Sequence, residues 1–341
     1  YNHPISGTQS GNEVSLGTYR KVGFSQSNYP QSIGALNYSS NDGGGTVPTS
    51  GQIKFSDFYG TRLQTVVNFW SSGAGGNRLV AKDRYNANGN IGVHGHVAVV
   101  GGFRARPNNS SGTKVHIHVN QQIGSEKTRV EHCALRTGSW DSSTTLQVDV
   151  GGSGRIGGAG GDGGRGSNAS GAAVAGESGT SGLGIQYNPT TVNVASGGVI
   201  TAGFGGGGGG GGAYDHDKNS SRTASGGGGG GGAGIPAGAG GAEGSGGVEG
   251  GPGNAGSATA AGSGGGGGNN DGEAVAGGGG TGGSAGEAAD NGGTGFGGEG
   301  SSSAGGAGGP DGAAIRRNSG FTVNVSNSGT LSGSTNATGV L

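Results

Sequence analysis

The densest chemistry in the chain is Tyr214-Asp215-His216-Asp217-Lys218-Asn219, followed by Arg222, in segment 213–225 between two pure glycine runs. An aromatic ring, both signs of charge and several amide and hydroxyl groups in one loop suit recognition of a sugar or a protein loop. Asp215, His216 and Asp217 also offer two carboxylates and an imidazole to a cation, without the graded oxygen ligands of a calcium loop. Smaller polar groups stand at Asn269, Asn270, Asp271 and Glu273, and at Asp290 and Asn291. Segments 167–181, 269–276, 287–291 and 299–304 are the further candidate contact loops. Two His-x-His pairs, His94 with His96 and His116 with His118, each place two imidazoles on one strand face. Repeated by three-fold symmetry, such a pair can surround a metal; plain exposed alternation on a strand gives the same spacing.

Nothing here assembles a catalytic site. Cys133 adjoins His132, and adjacent strand residues point to opposite faces. The acids lack the paired spacing of a glycoside hydrolase, and no Gly-Lys-Ser/Thr closes a glycine run into a phosphate loop. A noncatalytic protein without a cofactor is expected.

The elements that position these residues are set by glycine, which supplies 94 of 341 residues, several times the usual share of about 7%. Glycine costs about 1 kcal/mol per residue in a helix interior relative to alanine, so essentially no α-helix is expected. Collagen also needs glycine at every third position, together with abundant proline; only 8 prolines are present. Disorder is the other reading of such a composition, and the phase of the glycines argues against it. Glycine recurs at every third position through 151–166, 238–256, 277–286 and 292–298, and fills 205–212 and 226–232. Three residues per turn is the polyproline-II repeat, which has no hydrogen bonds of its own. Backbone groups must then pair laterally, which predicts a bundle of polyglycine-II helices over 151–341.

The rest of the chain reads as all-β. Short β-branched runs at 66–70, 78–82, 94–100, 114–119, 130–135 and 145–150 alternate with period two. They predict a small sandwich or jelly-roll-like domain over 63–150. Residues 1–62 hold spaced apolar residues but too few for an independent core, so they form a module expected to dock on something larger. A repeat links both parts: segments 145–156, 191–200 and 322–331 each carry a Val-x-Val strand, a Ser-Gly turn and a further apolar position. These copies are expected to cap the glycine bundle.

Nineteen Lys and Arg against twenty Asp and Glu leave a net charge of −1, which gives no footprint for nucleic acid. No apolar run approaches 18 residues, so no membrane insertion is expected. A single cysteine excludes an intramolecular disulfide framework.

The succession Thr145-Leu-Gln-Val-Asp-Val150, Ser153-Gly-Arg-Ile156 and polyglycine resembles the receptor-recognising adhesins at the tail-fibre tips of T-even-like bacteriophages. The resemblance covers 145–341. It implies a virion location, a polyglycine-II sandwich and a bacterial outer-surface protein or glycan bound by the loops between tracts. Separately, Val14-Ser-Leu-Gly17 with Gln52-Ile-Lys-Phe-Ser-Asp-Phe-Tyr-Gly60 is similar to a short module of phage tail and fibre proteins. That likeness implies attachment to other virion proteins through the N-terminal part, with a homotrimer among the expected assemblies. The alternative is a purely structural virion component, such as a fibre, collar or capsid decoration, in which the glycine bundle is a rigid spacer.

Overall fold

The computed structural model describes residues 114–341 except Thr128, Ser139, 141–144, Ser170, Lys218 and Asn219. It also describes the short strands Tyr38–Ser39, Arg62–Phe69, Leu79–Val80, Gly92–Val93 and His96–Val97. The rest of 1–113, with most of the expected N-terminal module (Val14–Gly17 and Gln52–Gly60 included) and the greater part of the runs at 78–82 and 94–100, lies outside the described residues.

From Lys114 the chain visits three sheets in rotation. Lys114–Val119, Thr145–Val150, Thr190–Val194 and Val323–Asn327 lie side by side in the first. Gln122–Ile123, Arg155–Gly157, Val199–Thr201 and Thr330–Ser332 form the second, and Cys133–Arg136, Ser181–Ile185, Ile315–Arg317 and Ala337–Thr338 the third. All these neighbours are parallel. The result is a three-sided parallel β-solenoid, in which each turn of chain stacks on the one before.

Register explains why these residues form it. Ile117, Val148, Val192 and Val325 align across the first sheet. Ile123, Ile156, Ile200 and Leu331 align across the second, and Leu135, Leu183 and Ile315 across the third. These rows point inward and make one apolar core, fully buried except at the last turn. Each aliphatic side chain so buried contributes about 1.5–3 kcal/mol. Val325, aligned with buried Val192, is 40% exposed because no described turn of the solenoid covers it.

The described strands of 63–150 therefore lie in the solenoid sheets rather than in a sandwich or jelly roll. Period-two alternation specifies one buried face, and that face is equally satisfied by a neighbouring parallel strand from a later part of the chain. The first sheet runs from Tyr38–Ser39 to Val323–Asn327 and so crosses the boundaries expected at residues 62 and 150. The three repeat copies are turns of the solenoid rather than caps on a separate bundle. The last is offset by two residues, since Val325 pairs with Val192 and not with Val194.

Two insertions leave the second sheet and return to the third: 158–180, after Gly157, and 202–314, after Thr201. No helix occurs among the described residues, and hence none long and apolar enough to cross a membrane. Glycine tracts in the insertions run back and forth, paired laterally through their backbones. Tract 205–212 shows the arrangement. The amides of Gly206 and Gly209 donate to Glu177 and Val174, those of Gly207 and Gly210 to Gly230 and Gly227, and those of Gly208 and Gly211 to Asp290 and Gly293. Its carbonyls accept in the same rotation, Gly207 from Gly164, Gly208 from Gly280 and Gly209 from Gly306. A neighbour therefore stands on every side. A Cβ on Gly208 would lie 1.9 Å from the Gly306 carbonyl oxygen. Tract 226–232 is surrounded in the same way, whereas the outer tract 238–244 packs Gly238, Gly241 and Gly244 inward and leaves the residues between them more open.

Candidate functional site

Because the tracts reverse direction at each turn, successive turns fall at opposite ends. Residues near 236, 258–260 and 284–287 lie at the solenoid end; there the Ile235 carbonyl accepts the Ser125 amide. Turns 167–173, 213–225, 246–248, 269–275 and 296–302 lie at the far end and contact one another. Ala213–Asp217 and Ser220–Ala224 form an antiparallel hairpin, and Ala213 and Tyr214 pair with Ser302 and Ser301. Asn269–Asn270 pairs with Ala274–Val275, which pairs with Phe296–Gly297. Ala224 bridges to Val248, and the Asn168 side-chain oxygen accepts from both the amide and hydroxyl of Ser245. Buried Ala213, Ala224, Ala274 and Ala276 form the floor of this distal face.

Segment 213–225, expected as a loop, is thus a hairpin, and strand alternation sorts its side chains. The Tyr214 and His216 rings stack at 6.1 Å between centroids and 15° between planes. The Ser221 hydroxyl lies 3.3 Å from the tyrosine hydroxyl and 3.1 Å from His216 Nδ1. Asp215 faces the other way; it is buried and accepts the Glu299 amide at 2.7 Å. It anchors the 296–302 turn from within. Arg222, opposite Asp215 in the register, forms an ion pair with Glu273 and so ties two hairpins together. Asp217 pairs with Ser220 at the hairpin end; its side chain, Lys218 and Asn219 lie outside the described residues.

In the second hairpin, the Asn269 side-chain oxygen accepts the Gly272 amide at 2.9 Å. Asp271 and Gly272 have φ of 54° and 79°, a tight hairpin turn that favours Asp followed by Gly. The Asn270 amide group donates to the Thr223 carbonyl at 3.4 Å. Two residues that the sequence reading did not single out dominate the apolar part of this face: Phe296, 62% exposed, and Val248, 41% exposed. Phe296 was readable as the one aromatic of the 292–298 glycine repeat. Asp290 and Asn291 are not at this face. Asp290 donates its amide to Thr281 and accepts from Gly208, and Asn291 accepts the Gly308 amide, all within the tracts.

The His-x-His pairs fall on different sheets. His96 is on a strand of the second and His116 and His118 are on the first, while His94 lies outside the described residues. His118 Nδ1 lies 3.7 Å from Asp149 Oδ2. Among the described residues, no three His, Cys, Asp or Glu side chains are grouped to hold a metal.

A family model described as phage tail fibre adhesin Gp38 matches residues 102–336, more than half of the chain. The chain belongs to the phage tail fibre adhesin Gp38 family. Its place is accordingly the tail fibre of the virion. The match includes every glycine tract of the adhesin and the solenoid turns from Lys114 to Ser332. Among solved structures, the gp37-gp38 adhesin tip complex of the bacteriophage S16 long tail fiber is 19% identical, with 84% of the adhesin and 88% of that chain covered and a TM-score of 0.35. No curated protein matches the adhesin.

Proposed function

We propose that this protein is a noncatalytic receptor-binding adhesin at a tail-fibre tip and that its distal face contacts the bacterial surface. The carrying observation is the convergence of five turns on one face that leaves Phe296 62% exposed beside charged and aromatic side chains. Exposed aromatic and apolar groups ringed by polar ones are the composition of a contact surface. The period-three rotation of hydrogen-bond partners along 205–212 supports reading the tracts as polyglycine-II helices. Such a bundle holds the turns rigidly. Tyr214, His216, Phe296 and Val248 are the contact residues on this reading, with Arg222, Glu273, Asp215 and Asn269 setting the shape. A tail-fibre adhesin must be fastened to its fibre, and the S16 complex pairs gp38 with gp37; we assign that fastening to the N-terminal part of this chain. A plain spacer would have no use for Phe296 and Val248 exposed at its far end, which favours the adhesin over the structural alternative.

The test is binding of the labelled full chain to the phage's host cells. The wild type should bind saturably, and Phe296→Asp or the double variant Tyr214→Ser/His216→Ser, which spares buried Asp215 and the Arg222–Glu273 pair, should abolish binding with unchanged thermal unfolding. Equal binding by wild type and both variants overturns the assignment.

A further inference from the structure

Aspartate or asparagine followed by glycine is a chemically labile pairing. The glycine amide nitrogen attacks the side-chain carbonyl carbon and closes a five-membered succinimide, unobstructed because glycine has no Cβ. Aspartate releases water in that step, and asparagine releases ammonia. Water then opens the ring at either carbonyl, giving aspartate or its isomer isoaspartate, in which the backbone runs through the former side chain. Four such pairs occur among the described residues: Asp162-Gly163, Asp271-Gly272, Asn291-Gly292 and Asp311-Gly312. Three of them lie in glycine tracts, where both reacting groups are held. The amides of Gly163, Gly292 and Gly312 donate to the carbonyls of Ala239, Gly306 and Gly203 at 2.8–2.9 Å. The side-chain oxygens of Asp162, Asn291 and Asp311 accept from the amides of Ala239, Gly308 and Gly205 at 2.6–2.9 Å. Ring closure would have to break both bonds and turn a backbone packed hard against its neighbours, since a Cβ on any of these glycines would lie 1.8–2.0 Å from a carbonyl oxygen.

Asp271-Gly272 differs in each of these respects. It is the exposed tip of the 269–275 hairpin, with both residues at positive φ. The Asp271 carboxylate has no hydrogen bond or ion pair among the described residues, and no atom lies within 4 Å of a Cβ placed on Gly272. One contact holds the Gly272 amide, the Asn269 side-chain oxygen at 2.9 Å. From this contrast we infer that Asp271-Gly272 is the site at which the adhesin converts spontaneously to isoaspartate, and that Asn269 is the residue that slows the conversion. An amide already donating to an acceptor loses its proton more slowly, and it cannot turn toward the Asp271 carboxyl without breaking that bond. The product keeps its charge and mass but carries one extra carbon in the backbone of the turn. That carbon lies between Asn270 and Glu273, and Glu273 holds Arg222 in the ion pair that ties the two hairpins. Isomerisation therefore loosens the distal face, whatever that face binds.

The test is to age the full chain for weeks at neutral pH and physiological temperature, label isoaspartate with an isoaspartyl methyltransferase, and map the label by digestion and mass spectrometry. Chain that has not been aged corrects for isomer formed during handling. Label should appear at Asp271 and stay absent from Asp162, Asn291 and Asp311. Asn269→Ala should speed its appearance about fivefold, the rate equivalent of one hydrogen bond. Gly272→Ala adds a methyl that meets no other atom of the fold but obstructs the attack, and should abolish the label. Equal labelling of the tract pairs overturns the site, as does an unlabelled Asp271 once a free peptide of residues 267–277 has isomerised. An unchanged rate in Asn269→Ala overturns the role of Asn269.

Discussion

The hydroxyls of Ser167 and Ser303 meet at 3.0 Å, and both accept the amide of Gly212. They close the end of the central glycine tract, where no further glycine carbonyl takes that amide. Ser303→Ala should destabilise the protein by about 1 kcal/mol, because the Ser167 hydroxyl still accepts. The double variant Ser167→Ala/Ser303→Ala orphans the buried amide and should cost more than the sum of the single changes. Urea unfolding of the four proteins in a double-mutant cycle measures that excess, and strict additivity would refute the shared cap.

Alanine at two glycines should give opposite outcomes. At Gly208 the added methyl would lie 1.9 Å from a backbone oxygen, whereas at Gly266 nothing lies within 4 Å. Gly208→Ala should therefore fail to fold or lose several kcal/mol, as overpacked interiors do, while Gly266→Ala should unfold within about 0.5 kcal/mol of the wild type. Thermal melts of both settle the comparison.

Asp311 should make stability fall as pH rises. Burial lifts its carboxyl above the ordinary value of 3.8, and the hydrogen bond it accepts from the Gly205 amide opposes the shift only in part. A carboxyl with a raised folded-state pKa favours folding while protonated, below its unfolded value, and loses that contribution as pH climbs through the folded value. Asp311→Asn keeps an acceptor for Gly205 without the charge. It should be the more stable protein near pH 7, with the advantage gone near pH 3. A constant difference across that range would count against the assignment.

Cys133 should be inert in the folded state. Its side chain is fully buried in the third sheet, and burial pushes the thiol up to about 12. At about pH 8 the thiolate fraction is then on the order of 1 in 10,000. Ellman's reagent should detect no thiol in native protein and one per chain after denaturation; rapid native labelling would show the sheet to be open.

The glycine layer was legible because its constraint is local. Where a tract has neighbours on all sides, as at 205–212 and 226–232, every position must be glycine; where it lies at the surface, as at 238–244, only the inward position must be. The sequence states both rules directly. The solenoid was hidden for the opposite reason. Leu183 aligns with Ile315 across an insertion that occupies most of the second half of the chain, and alternation within either strand does not name its partner. The distal face was partly legible. Tyr214 and His216 stand out by composition, but Asp215 could be sorted inward only by treating 213–225 as paired strands, and the side of the bundle on which Asp290 falls depends on counting turns.

Both insertions depart from the second sheet and rejoin the third, at a corner whose stubs are held by Gly158 to Thr201, Gly182 to Ala313 and Ala202 to Ser332 hydrogen bonds. The core strands on either side of the stubs are aligned by their own parallel pairing. Exchange of the glycine cassettes for others between those stubs would change every turn at the far end, while the strands that carry the cassettes keep their sequence.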